Sequence, residues 1–217
     1  MNVTKHVDFF DPSKVNKSIH IIGVGAIGSH LAIMLTKLGI EKFVLYDFDT
    51  VESKNVTNQA YVHKDIGQTK LDAISKKMLD INPQVKIRAR PKGWQSGTPL
   101  SGYVFLAVDS IELRKQIVEE NINNLNIIAV FDTRMGLTEG QTYASTQDKL
   151  PNLIKTMDFK DDEVKQEVSA CNSTLSILPL VWSITSSTVS NFINFVLKEE
   201  LNNVIIQDAF KFIYTTF

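Results

Sequence analysis

Apolar positions along the chain fall into short runs separated by longer amphipathic stretches. Ile19 to Val24 is almost wholly apolar and holds the first glycine of a turn, which predicts a buried strand. Ser29 to Lys37 spaces Leu31, Ile33, Met34 and Leu35 as a helix does, and Gly39 stops it. Phe43 to Tyr46 reads as a second strand, ending at Asp47. Gln68 to Leu79 has Leu71, Ile74, Met78 and Leu79 on one helical side, and Pro83 closes that region. Val85 to Ala89, Tyr103 to Val108 and Asn126 to Phe131 read as three further strands, with a Gly/Pro/Ser-rich loop over Pro91 to Gly102 and a helix over Ile111 to Asn121.

Beyond residue 140 the pattern changes. Gln141 to Ser145, Asn203 to Ile206 and Lys211 to Thr216 are candidate strands in a more polar context, and Ser176 to Leu197 reads mostly as one long helix. Residues 1 to 17 are a polar lead-in, and Met157 to Glu167 is a charged surface segment. The helical inserts before residue 140 are long enough to be crossovers, so a mostly parallel sheet flanked by helices follows. The expected fold is α/β and Rossmann-like, with a small C-terminal extension of mixed strands and a long helix. We expect one domain over 1–217, with 18–140 as the nucleotide-binding core and 141–217 completing the fold.

Composition narrows the function. The 217 residues suffice for one substantial core, and the formal net charge of -1 gives no bulk attraction to nucleic acid, so no nucleic-acid partner is expected. The single cysteine, Cys171, excludes a disulfide within the chain and a cysteine-built zinc site; the four histidines share no ligand spacing. No zinc is expected, and a reducing, cytoplasmic setting is. The amino terminus carries no apolar secretion signal, and Pro179 with many Ser, Thr and Asn breaks the stretch Leu175 to Leu197, so no membrane span is expected.

The firmest chemistry lies in IHIIGVGAIGSHLAIML, where Gly23, Gly25 and Gly28 have the G-x-G-x-x-G spacing between a strand and a helix. Gly23 would permit the turn, Gly25 would let phosphates approach the backbone beside Ala26, and Gly28 would let helix and strand pack closely. Asp47, at the end of the second strand, is placed to bond ribose hydroxyls. A plain nicotinamide-binding domain needs little more. Here, however, a polar loop follows with Asp49, Glu52, Asn55, Asn58 and Gln59, then Gly67 and Lys70. Asn55 and Gln59 are four apart, one helical turn, and Lys70 opens the next helix, where an ammonium suits phosphate oxygens. Asp109, at the carboxyl end of the fourth strand, faces the crevice where such sheets bind ligands, and a carboxylate facing a triphosphate implies Mg²⁺ between them.

The combination of GVGAIG, LYDFDTVESKNVTNQ, DIGQTK and LAVDS resembles the ThiF/MoeB/HesA family and the adenylation domain of ubiquitin-activating enzymes, over about His20 to Gln141. The resemblance implies ATP and Mg²⁺ as cofactors. It also implies adenylation of the carboxyl terminus of a ubiquitin-like or sulfur-carrier protein, or a short peptide, by a homodimer or heterodimer. By that resemblance Asp47 matches the ribose-binding aspartate, Asn55 the asparagine near the phosphates, Lys70 the phosphate-contacting lysine, Asp109 the metal-holding aspartate, and Gln59 the glutamine of an N-x-x-R-Q pattern. Arg134 and Gln141, in FDTRMGLTEGQTY, match a segment that lines the site or the partner groove. Catalysis would then fall to Lys70, Asp109, Asn55 and Arg134. Two departures stand out: Asn58 occupies the place of the family's arginine, and the first arginine of this sequence is Arg88, so a homodimer is not expected to supply the family's amino-terminal arginine and a hetero-partner could donate it. A non-catalytic scaffold subunit and a nicotinamide-dependent oxidoreductase are the competing readings.

Four further residues have open readings. Cys171 reads as a buried structural cysteine or, at a helix amino terminus, a thioester nucleophile. Trp94, in the loop PKGWQSG, has an exposed partner-contact reading beside a packed one. Trp182 and Phe192 read as core. Phe210, Phe212, Tyr214 and Phe217 form an apolar tail suited to packing or dimer burial.

Overall fold

The computed structural model describes residues 1–160, 175–198 and 200–217. Cys171 and much of the charged run before it lie outside the described residues. Five strands, β1 (Ile19–Ile22), β2 (Lys42–Tyr46), β3 (Lys86–Arg90), β4 (Gly102–Leu106) and β5 (Ile127–Met135), alternate with α1 (Ala26–Lys37), α2 (Lys70–Ile81) and α3 (Ile111–Glu120). There follow β6 (Glu139–Thr146), α4 (Leu150–Lys155), α5 (Leu178–Lys198), β7 (Val204–Asp208) and β8 (Ile213–Thr216).

All eight strands join one sheet in the order β3-β2-β1-β4-β5-β6-β7-β8. The first five pair in parallel and the last three add antiparallel, which is the expected Rossmann-like core with a mixed extension. Strand alternation feeds two cores. Ile19, Ile21, Phe43, Leu45 and Phe105 pack under α1, α2 and α5, while Ile22, Tyr46, Val104 and Leu106 pack with α3 and α4 on the other face.

Local sequence explains the helices. Thr69 caps α2 by accepting from the Asp72 N–H at 3.0 Å, and Ser110 caps α3 by accepting from the Leu113 N–H at 3.1 Å. By length and composition α5 could cross a membrane, yet it lies on the sheet. Thr188 bonds Thr133 at 3.0 Å and Thr142 at 2.8 Å, and Phe192 meets Phe105, Phe131 and Tyr103 edge-on.

Some expectations change. Trp94 is 5% exposed and packs in the α3/α4 core, so its partner-contact reading is withdrawn. Trp182 is 52% exposed and sets its indole edge against His30, while Phe192 is core as expected. Trp182 sits on α5 at a position that faces outward once Val181 and Ile184 face the sheet. The polar lead-in is ordered by two apolar anchors, Phe10 and Val15, that reach the core. Met157, at the head of the charged segment, is buried with α4, a helix the sequence pattern did not reveal. Phe210, Phe212, Tyr214 and Phe217 lie exposed along edge strand β8.

Candidate functional site

The carboxyl ends of β1, β2 and β4 meet where the strand order switches between β1 and β4, the place where such sheets bind ligands. The Gly23 N–H donates to the Tyr46 carbonyl at 2.8 Å, and the Ala107 N–H donates to the Ile22 carbonyl at 2.9 Å. The turn after β1 is therefore wedged between the ends of its two neighbours.

The three glycines have three different reasons. Gly23 has φ +88°, and a Cβ there would stand 2.7 Å from the Ala107 carbonyl oxygen. A Cβ on Gly28 would stand 1.9 Å from the Gly23 carbonyl oxygen, so only glycine lets α1 approach the turn. Gly25 differs: a Cβ there meets nothing within 4 Å. Gly25 also serves as N-cap of α1 without a side chain to cap it, leaving the first-turn N–H groups of Ala26 and its neighbours with no side-chain acceptor. An open, uncapped helix amino terminus with partial positive charge fits a phosphate.

Backbone bonds pin the surrounding loop. Asp47 accepts from the Val24 N–H at 2.8 Å through one oxygen and from the Asp49 N–H at 2.9 Å through the other. A carboxylate has about four lone-pair sites, so two remain for ribose hydroxyls. Lys70 is 7% exposed, and its Nζ lies 2.7 Å from an Asp49 carboxylate oxygen. The Lys70 N–H also donates to the Asp49 carbonyl at 2.9 Å, which fixes the start of α2 against the loop. The ammonium has three donors, so the Asp49 bond leaves capacity for a phosphate.

Asn55 is buried in the short turn Ser53–Thr57 and accepts from the Glu52 N–H at 2.8 Å. The Gln59 N–H donates to the Asn55 carbonyl at 2.9 Å, the helical turn expected from their spacing. Gln59 Oε1 is buried without a partner among the described residues, an orphaned acceptor of the kind a ligand donor satisfies. Asn58 donates from Nδ2 to the Ser176 hydroxyl just ahead of α5, and the Ala60 N–H donates to the Ser29 hydroxyl on α1 at 3.0 Å.

Asp109 is exposed, between β4 and the Ser110 cap of α3. No cluster of three metal-ligating side chains occurs among the described residues. Magnesium bound mainly through phosphate and water needs only one or two carboxylates, so Asp109 alone fits that donor set. Arg134 lies at the carboxyl end of β5, the strand beside β4, and shares Asp132 with Arg114. Its guanidinium holds Asp132 at 2.6 and 2.8 Å and Thr156 at 2.8 and 2.9 Å, over the Tyr143 ring at 4.5 Å. Gln141, paired across from Arg134 in the sheet, accepts from the Tyr143 hydroxyl at 2.9 Å.

Two organising residues escaped the sequence reading. Tyr61 is buried and donates its hydroxyl to the Val24 carbonyl at 2.7 Å, tying the loop to the glycine turn. Burial, then the charges of Asp47, Asp65 and Asp49, push its pKa up, so it stays a neutral donor. Arg114 is buried on α3, bonds the Leu106 and Val108 carbonyls, and pairs with fully buried Asp132. It thereby holds the β4–α3 turn that carries Asp109. Its signal was legible: Arg114 occupies an apolar position in the row Ile111, Arg114, Ile117, Val118.

The ThiF family model matches residues 13–217. The ubiquitin-like modifier-activating enzyme 5 of Drosophila virilis is 33% identical over 130 residues, covering 51% of this chain and 32% of that enzyme. Its counterpart in Oryza sativa subsp. japonica is 42% identical over 72 residues, covering 33% of this chain and 17% of that enzyme. The matched stretch is thus at most about a third of either relative's length. Among solved structures, E. coli MccB with ATP superposes with TM-score 0.75 at 16% identity, over 95% of this chain and 65% of that one. PaaA superposes with TM-score 0.74 at 18% identity, over 99% and 68%. At such identities the structures speak for the fold alone.

Proposed function

The chain belongs to the ThiF family, and on that footing we propose that it uses ATP to adenylate the terminal carboxylate of a ubiquitin-like protein, a sulfur-carrier protein or a short peptide. The observation that carries the reading is the division among the glycines: Gly23 and Gly28 are closed by packing, while Gly25 is open at an uncapped helix amino terminus. The relatives named as ubiquitin-like modifier-activating enzymes support the substrate class, and MccB crystallised with ATP and with its MccA peptide supports the peptide alternative.

The chemistry asks little of acid–base groups. The substrate carboxylate is already ionised at neutral pH. One of its oxygens attacks the α-phosphorus, the bond from that phosphorus to the bridging oxygen breaks, and pyrophosphate leaves. The protein's part is to align the groups and stabilise developing charge. The α1 N–H groups beside Gly25 and Ala26 orient the phosphates, Asp47 holds the ribose, and Asn55, Gln59 and Lys70 line the phosphate side. Asp109 is the residue that would hold Mg²⁺, which supplies charge neutralisation on the departing phosphates. Arg134 is assigned to Asp132 and Thr156 and enters no step. The chain works as a dimer with a second copy or a related chain, in the cytoplasm; the exposed aromatics along β8 support the first point.

A specific observation favours a second reading, a non-catalytic subunit. Asn58 stands in place of an arginine and donates to Ser176, so no guanidinium reaches the phosphates from that position. One experiment weighs both. With ATP and a panel of carrier proteins, exchange of labelled pyrophosphate into ATP is expected to rise above background for a carrier with an intact terminus and to vanish when that terminus is amidated. ATP binding with no exchange across the panel would favour the non-catalytic subunit.

A further inference from the structure

Parallel sheets of this kind are normally covered by helices on both faces. Here β3 returns to β4 through residues 91–101, which hold no helix; on the face opposite α1 and α2, Val44 and Tyr46 of β2 are buried with Trp94 and Leu100, while Lys42 and the β3 side chains stay exposed. Strand pairing sets side chains there in register, Lys42 beside Lys86, Val44 beside Arg88 and Tyr46 beside Arg90. The residues 86, 88 and 90 alternate along one strand, so their charges stand on one face at intervals of about 6.6 Å. The result is a groove of about 550 Å³.

Its walls are β3 on one side and Pro99 to Ser101 on the other, and its floor holds Val44, Tyr46 and His20. Among the described residues, strands and loops alone supply the lining, with no Asp or Glu. None of Lys42, Lys86, Arg88 or Arg90 pairs with a carboxylate among the described residues. Four unneutralised cations on one patch of a chain whose formal net charge is -1 form a built-in local field.

We propose that this groove binds a small polyanion of the phosphate class, held by Lys42, Lys86, Arg88 and Arg90. The two guanidiniums present planar forks suited to phosphate oxygens, and the lysines add point charges. The volume is that of a small-molecule site. The cationic patch is only about five residues long, roughly 17 Å, too short to follow a nucleic-acid backbone, which releases many counterions along its length. His20 is 4% exposed and bonds the Tyr46 hydroxyl through Nδ1 at 3.0 Å. Burial, then the charges of Arg88 and Arg90, lower its pKa to about 4, so the buried pair beneath the groove stays neutral under the positive field. The site lies on the opposite face from the α1 turn and stands whether or not the chain adenylates a carboxylate.

Inorganic tripolyphosphate is the probe, titrated calorimetrically into the Gly25→Ala variant so that the glycine turn does not compete. Binding is expected, with shifts confined to the His20 and Tyr46 ring signals by NMR. Adding Arg88→Ala and Arg90→Ala is expected to weaken it about tenfold or more. Both arginines are exposed, and circular dichroism verifies the fold of each variant. Should Gly25→Ala not fold, the same comparison runs in the otherwise unmodified chain, and the readout is the part of tripolyphosphate binding lost on Arg88→Ala and Arg90→Ala. Unchanged affinity in the arginine variants, no binding before their removal, or tighter arginine-dependent binding of an octaglutamate peptide or a short RNA would each overturn the assignment.

Discussion

At the scale of single residues, the glycine turn separates packing from binding in a way a substitution can read. Gly28→Ala places a methyl 1.9 Å from a backbone oxygen that cannot move without breaking the β1–α1 junction. It is expected to cost about 3 kcal/mol or more, seen as a lowered denaturant midpoint. Gly25→Ala has open space and a φ of -75°, so its stability is expected to stay within about 0.5 kcal/mol while nucleotide affinity falls. The spacing of the three glycines was legible in the sequence, and so was the turn joining Asn55 to Gln59. What the sequence could not display is which groups already have partners. Lys70 is paired with Asp49 where the loop after β2 folds back on the start of α2, and Arg134 is held by Asp132 two positions earlier on β5 and by Thr156 after α4.

At the scale of elements, every strand inferred from the apolar runs is present, because short runs bounded by Gly, Pro or Asn leave little choice of element. α4 was missed because six residues are too few to show a helical period. Trp182 was misplaced because its large apolar ring reads as core, yet it falls in the exposed row of α5 with Ser183, Ser186 and Ser190. The buried face of α5 carries hydroxyls as well. Thr188 joins Thr133 and Thr142 in a buried network and also donates to the Ile184 carbonyl at 2.8 Å. Thr188→Val keeps the shape and removes the hydroxyl shared by Thr133 and Thr142, leaving those two only their own long bond at 3.5 Å. It is expected to lower stability by about 1–3 kcal/mol in chemical denaturation, with no change in nucleotide affinity, since α5 meets the sheet away from the glycine turn.

At the scale of the whole molecule, the parallel half of the sheet carries the glycine turn to which the proposed function assigns ATP, and the antiparallel half completes the core. The switch between β1 and β4 brings Gly25, Asp47 and Asp109 to one edge, although the first and last of them are more than 80 positions apart in the chain. The same strand order leaves the basic side chains of β3 without a covering helix, because the return to β4 is the Gly/Pro/Ser-rich loop read from the sequence, and only the strand pairing shows that Lys42 of β2 joins them. The most direct measurement is calorimetric titration of ATP and of NAD, with and without Mg²⁺, into the chain and its Asp109→Ala variant. ATP binding that needs both Mg²⁺ and Asp109, with no heat from NAD, is the predicted result. NAD binding indifferent to Mg²⁺, or no ATP binding under any condition, would contradict the reading of the Gly23–Gly28 turn as an ATP cradle.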